Sequence, residues 1–173
     1  VGDLSVVAGS VELRTPAEIA GENVSGAADL AVPGGTLADL PARALPSAIA
    51  LVADLPEGRL EISYAEFDAR VNRLARHLIS LGVGPESLVA LALPRSVDLL
   101  VAMYAVTRAG GAYVPIDPDQ PADRTDYILG TAAPICVLTN GFRTDAAPVV
   151  RVDHPVVAAH DPGPVTDADR RAP

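Results

Sequence analysis

Several acidic residues crowd into one short stretch, and carboxylates at this spacing could bind a cation or share acid–base work: Asp117, Asp119, Asp123 and Asp126. Pro118 and Pro121 interrupt the same stretch. An aspartate ahead of a helix can instead cap the helix and stabilise its positive end. Because the two prolines fix turns here, we favour the capping role. We predict neither a metal site nor a catalytic residue in this stretch.

The histidines and the single cysteine are the other groups whose chemistry needs an account. His77 is predicted to lie at the edge of a helix's packed face, whereas His154 and His160 lie in a proline-rich region without a nearby cysteine. This spacing does not match a metal-ligand set, so we predict no metal site. Cys136 lies in an apolar run, which indicates a buried, inert thiol. One cysteine cannot form an internal disulfide, which is compatible with a reducing cytoplasm.

Phosphate-binding loops are not found in this sequence. All 13 basic residues are arginine, so a Walker loop, which requires lysine, is excluded, and Gly-x-Gly-x-x-Gly is absent as well. The pairs Gly34–Gly35 and Gly110–Gly111 are isolated and are typical of turns. We therefore predict no cofactor-binding residue within this chain.

Strand and helix patterns alternate through the middle of the sequence. Ser63 and Glu66 have the spacing of a capping box, which predicts that a helix begins here. A second helix is predicted after Ser96, and a third over residues 122–131. The first helix is predicted to end at Gly82. One of its faces is an apolar stripe formed by Phe67, Val71, Leu74, Leu78 and Leu81. The opposite face is charged and is predicted to face water, and it consists of Asp68, Arg70, Arg73 and Arg76.

The apolar runs between these helices have the length of strands, and they cover residues 48–53, 60–62, 88–93, 112–116, 135–138 and 149–152. Strands that alternate with helices predict an α/β fold with a mainly parallel sheet and flanking helices. We divide the chain into an irregular linker (1–46), this patterned part (47–152) and a flexible tail (153–173).

Composition narrows the class of protein further. The net charge of −9 disfavours nucleic-acid binding, which depends on neutralising phosphates. No apolar run reaches 18 residues and no basic leader is visible, so we expect no membrane span and a cytoplasmic protein.

Two motifs resemble those of a known family. Residues 60–67 read Leu-Glu-Ile-Ser-Tyr-Ala-Glu-Phe and are similar to the first core motif of the adenylation domains of non-ribosomal peptide synthetases. Residues 107–118 read Thr-Arg-Ala-Gly-Gly-Ala-Tyr-Val-Pro-Ile-Asp-Pro and resemble the second, with Arg108 where lysine is common. The motif residues have structural roles in the family, and they are Ser63, Tyr64, Glu66, Gly110, Gly111, Tyr113, Pro115 and Asp117.

The resemblance implies a partial N-terminal subdomain of an adenylate-forming enzyme, preceded by a condensation–adenylation linker. An intact domain would activate an amino acid with ATP and Mg²⁺ and load it on the phosphopantetheine thiol of a carrier domain. Its implied partners are the neighbouring condensation, carrier and C-terminal adenylation domains. The family's Ser/Thr/Gly-rich ATP loop and catalytic lysine are not found here, so we predict an inactive fragment and, through an exposed sheet edge, oligomerisation. The alternatives are a non-catalytic linker or docking module and a fragment of a fatty-acyl-AMP/CoA ligase.

Overall fold

The computed structural model describes residues 15–17, 36–37, 44–56 and 58–170. The chain divides into two compact units, Val1–Gly34 and Gly35–Pro173. In the first unit Pro16 and Ala17 are helical, and the rest of the helix predicted to follow Thr15 lies outside the described residues. Most of the predicted linker also lies outside them. The domain boundaries at residues 46 and 152 stay a prediction, and every element below belongs to the second unit.

A β-hairpin opens the described part of the second unit. Strand β1 (Ile49–Leu55) pairs in antiparallel fashion with β2 (Gly58–Ser63), and Val52 lies opposite Glu61. The hairpin forms a two-stranded sheet of its own. Ile62 is fully buried, whereas the outward side of β1 leaves Ile49 and Val52 exposed.

Helix α1 (Tyr64–Ser80) begins and ends where the sequence predicts. The Glu66 amide donates to the Ser63 Oγ over 3.2 Å, and Gly82 adopts the left-handed φ of 99° that favours glycine after a helix. Phe67, Val71, Leu74 and Leu78 are buried as predicted. The predicted apolar stripe is wrong for Leu81, which is 43% exposed, because it lies beyond the last turn as the C-cap residue.

The remaining elements build a four-stranded parallel sheet with helices between its strands. In chain order they are β3 (Leu88–Ala92), α2 (Val97–Arg108), β4 (Ala112–Pro115), α3 (Ala122–Ala132), β5 (Cys136–Thr139), β6 (Val149–Arg151) and α4 (Pro155–Ala158). The strand order is β4-β3-β5-β6, and each neighbouring pair is parallel. The predicted α/β class with a mainly parallel sheet is confirmed.

Strand β3 is buried on both faces, and this divides the core into two layers. Val89 and Leu91 belong to the larger cluster, which includes α1 and α2, while Ala90 and Ala92 belong to a smaller cluster with Leu129 of α3. Such two-sided burial is typical of parallel strands covered by crossover helices. The uninterrupted apolar run in β3 therefore has a direct structural cause.

Helices α2 and α3 each leave a large apolar side chain exposed, Leu100 at 36% and Tyr127 at 65%. The aspartate cap predicted for α3 is wrong, because Pro121 is the N-cap and makes no side-chain bond. Asp117 instead accepts the Asp119 amide over 3.0 Å within the preceding loop.

Candidate functional site

The first motif joins the hairpin to α1. Ser63 caps the helix, and the Tyr64 amide donates to the Ala48 carbonyl over 2.9 Å. The Glu66 carboxylate accepts from Arg70 one turn further along the helix. Ser63 and Tyr64 thus make contacts that position backbone, whereas the Glu66 carboxylate forms an exposed ion pair within α1.

The glycines of the second motif form the corner between α2 and β4. Gly110 has a φ of 91°, and the Gly111 amide donates to the Val106 carbonyl over 3.0 Å. A Cβ atom on Gly111 would lie 2.9 Å from Val83 Cγ1 and 3.1 Å from the Ser87 carbonyl oxygen. Gly110 is therefore suited to the turn and Gly111 to a close approach of two backbone segments.

The rest of the second motif lies on β4 and just beyond it. Tyr113 and Pro115 are in register with Val89 and Leu91 of β3. Because β4 is an edge strand, the missing N–H of Pro115 is tolerated. Asp117 is exposed in the loop toward α3.

Arg108 of the second motif links α2 to α1, and the sequence pattern predicts no role for it. Its Nη1 donates to Asp68 Oδ1 over 2.6 Å and to Asn72 Oδ1 over 2.8 Å. The Asn72 amide donates in turn to Asp68 Oδ2 over 3.0 Å. The Arg108 side chain is only 7% exposed, so this network between α1 and α2 satisfies a buried charge.

Residues 155–170 cover the polar side of α1. The Asn72 side-chain amide donates to the Pro162 carbonyl over 2.8 Å, and Arg76 donates to the Pro164 carbonyl over 3.0 Å. Val157 of α4 packs into the larger core cluster. The predicted exposure of the charged α1 face is thus wrong for Arg76, whose side chain is only 18% exposed, because a segment some 88 residues away covers it.

Two histidines separated by 83 residues meet at the end of α1. His77 Nδ1 lies 3.3 Å from His160 Nε2, and the ring centroids are 5.4 Å apart. His154 has a different partner, because its Nδ1 accepts the Val156 amide at the start of α4. Burial lowers the pKa of His77 below its usual 6.5, and the nearby His160 and His154 lower it further.

The lowered pKa of His77 predicts a pH dependence of stability. The native state disfavours the charged ring, so the unfolded state binds more protons at pH values around and below 6.5. His77 therefore contributes stability at pH 7.5 that is lost as the pH falls below 6.5. We expect the urea concentration at the midpoint of unfolding, measured in the presence of a metal chelator, to fall between pH 7.5 and 5.5. The midpoint of the His77→Gln variant should fall less over the same range. An equal fall in that variant would contradict the assignment.

A nucleophilic cysteine and a cluster of metal ligands are the remaining kinds of site that the described residues could form. Burial raises the pKa of the Cys136 thiol to about 11, which keeps the sulfur protonated and poorly nucleophilic. No group of three or more His, Cys, Asp or Glu side chains among them could hold a metal ion. Within the same residues, no helix is long and apolar enough to cross a membrane.

One small cavity lies between α1, α2 and the turn before α4. Its volume is about 200 Å³, and charged side chains line it beside an apolar floor: Arg70, Arg73, Asp98 and Asp153. The Arg73 Nε is buried without a hydrogen-bond partner. Because Arg70 is already paired with Glu66 and Asp153 with Arg151, Arg73 and Asp98 remain with opposite charges, and the lining has no clear preference for an anion.

Comparison with known proteins decides the family. The profile of AMP-binding enzymes matches residues 39–172, which is most of the chain and includes both motifs. The chain belongs to the AMP-binding enzyme family. Among curated members, a dimodular nonribosomal peptide synthase of Bacillus subtilis is 48% identical over 117 residues, covering 68% of this chain and 5% of that protein. The phosphinothricin tripeptide synthetase PhsB of Streptomyces viridochromogenes is 42% identical over 137 residues, covering 72% of this chain and 11% of that protein.

Solved structures of AMP-binding enzymes agree with this assignment. The non-ribosomal peptide synthetase FmoA3 (S1046A) in its AMPPNP-bound form superposes with a TM-score of 0.75 at 28% identity, covering 88% of this chain and 17% of that one. The N-terminal subdomain of Klebsiella oxytoca NpsA, at 20% identity and a TM-score of 0.62, shares the fold and covers 75% of this chain. The chain thus corresponds to the N-terminal part of an adenylation domain and spans a small share of its relatives' length.

Proposed function

We propose that this chain is the opening part of an adenylation domain that activates an amino acid with ATP. The carboxylate of the amino acid attacks the α-phosphorus, which forms aminoacyl-AMP and releases pyrophosphate. The acyl group then passes to the phosphopantetheine thiol of a carrier domain, and AMP leaves. The match to AMP-binding enzymes and the similarity to peptide synthetases support this proposal.

The roles of the motif residues determine what this part of the domain contributes. Ser63 caps α1, Gly110 and Gly111 shape a corner, and Tyr113 and Pro115 lie in the register of an edge strand. Each of these contacts positions backbone. None of them places a nucleophile, a general base or a cationic side chain at a reacting atom. We infer that these residues are the scaffold of the domain and that ATP chemistry depends on residues outside them.

The intact reaction implies Mg²⁺ as a counter-ion for ATP. Among the described residues no set of three or more candidate ligands converges, so the residues present do not fit a Mg²⁺ site. We therefore propose that Mg²⁺ binds elsewhere in the intact domain.

Partner domains follow from the same proposal. One solved relative is an artificially fused adenylation–PCP di-domain that shares the fold at 20% identity. We infer that a carrier domain and a condensation domain lie beside this one in a cytoplasmic synthetase. Strands β4 and β6 are the edges of the parallel sheet and are the surfaces through which further strands or a second copy could pair.

ATP–pyrophosphate exchange tests the proposal. We expect the 173-residue chain to give no exchange above the enzyme-free control with any proteinogenic amino acid. The complete adenylation domain of the parent protein, assayed in parallel, should give exchange with at least one amino acid. Exchange by the 173-residue chain would show that its own residues carry the chemistry. Failure of the complete domain with every amino acid and acid substrate would contradict the proposed activity.

A further inference from the structure

The facing imidazoles of His77 and His160 are the strongest feature that the proposed function leaves unused. His77 lies on the last turn of α1, and His160 follows α4 in the segment that covers this helix. Both histidines are half-buried, so solvent reaches part of each residue. Nothing in amino-acid activation requires these two side chains to meet.

The geometry of the pair points to a metal ion. Two imidazole nitrogens bound to one tetrahedral zinc ion, at about 2.05 Å each, lie about 3.3 Å apart. The His77 Nδ1 to His160 Nε2 distance is 3.3 Å, and the hydrogen bond that joins the two rings at this distance is the contact that the ion would replace. The ring centroids are 5.4 Å apart with an interplanar angle of 53°, so the rings point their nitrogens at one another and do not stack.

We propose that His77 and His160 form a two-imidazole site for a divalent transition-metal ion, zinc(II) or copper(II). The metal would accept the lone pairs of His77 Nδ1 and His160 Nε2, and each neutral ring would keep its proton on its other nitrogen. Water would complete the coordination, because no third His, Cys, Asp or Glu side chain among the described residues joins the pair. This proposal is independent of the adenylation activity.

The third histidine and the identity of the metal ion provide two comparisons. His154 serves as a matched control, because its Nδ1 is already occupied by the Val156 amide. Nitrogen ligands bind copper(II) more tightly than zinc(II), so the two ions should rank in that order.

Calorimetric titration of the untagged 173-residue chain with zinc chloride, and separately with copper chloride, tests the site at pH 7.5. We expect one ion per chain, with at least a tenfold loss of affinity in His77→Gln and in His160→Gln. The His154→Gln variant should bind the metal ion as tightly as the unmodified 173-residue chain does. Absence of saturable binding, or retention of binding in the His77→Gln/His160→Gln double variant, would overturn the proposal.

A second readout distinguishes a bridging ion from a structural role of the rings. A metal held by both histidines links α1 to the segment beyond α4, so saturating zinc should raise the melting temperature of the parent chain. The single glutamine variants, once circular dichroism shows that they fold, should lose this rise. A rise of equal size in His77→Gln would place the ion elsewhere and refute the site.

Discussion

Replacing Asp68 by alanine is expected to lower the free energy of unfolding by about 3 kcal/mol, because it strips a buried guanidinium of its charged partner. The Arg108 side chain is 7% exposed, and its bond to Asp68 is 2.6 Å long. Asn72 remains as an acceptor, which keeps the cost at the lower end of what a broken buried pair produces. Urea denaturation at pH 7.5 measures the change.

A second ion pair on the same helix provides the matched control. Arg70 and Glu66 form an exposed pair one turn apart, and Arg70→Ala should cost less than about 0.5 kcal/mol. In a double-mutant cycle with Arg108→Met, removing Asp68 should cost far less than it does in the parent chain. Equal costs for Asp68→Ala in the two backgrounds would show that the pair does not couple.

Gly111→Ala is expected to destabilise the chain by about 2 kcal/mol through overpacking. The new Cβ would lie 2.9 Å from Val83 Cγ1 and 3.1 Å from the Ser87 carbonyl oxygen, and the second contact is with backbone that cannot rotate away. The corner between α2 and β4 must therefore open. Chemical denaturation is again the measurement, with the slope used to check that the transition remains cooperative.

The control for this prediction is a glycine with open space around it. Gly130 lies inside α3, and a Cβ there would meet no atom within 4 Å. Gly130→Ala should stabilise the chain by up to about 1 kcal/mol, because alanine favours a helix. Placing Gly111→Ala in a Val83→Ala background should recover part of its cost. No recovery would show that the backbone contact with Ser87 accounts for the effect.

Local signals predicted the elements well. Ser63 and Gly82 mark the ends of α1 because a cap and a left-handed glycine act within one turn of the chain. The uninterrupted apolar run of β3 is typical of a strand whose two faces are both covered, as they are here. These features depend only on neighbours in sequence or on a strand's place in the sheet.

Long-range contacts were beyond the reach of periodicity. The charged face of α1 matches a solvent-facing pattern, yet Asn72 and Arg76 bond to carbonyls of Pro162 and Pro164. Nothing in the spacing of residues along α1 reveals a covering segment so distant in the chain. The role of Arg108 was missed for the same reason, because its partners lie on another helix. The best available signal in the sequence for this role was that residue 108 is an arginine, whereas relatives often have a lysine there.

The central position of β3 has a consequence for the order in which the protein folds. Its two neighbours emerge later in the chain, β4 after one crossover and β5 after two, so Val89 pairs first with residue 113 and then with residue 136. The hairpin and α1 involve short loops, whereas closing the β3–β5 pair requires about twice the chain length needed for β3–β4. During synthesis, one edge of the most apolar strand therefore has no partner until residues 136–139 have left the ribosome, and an unpaired strand edge of this kind favours aggregation.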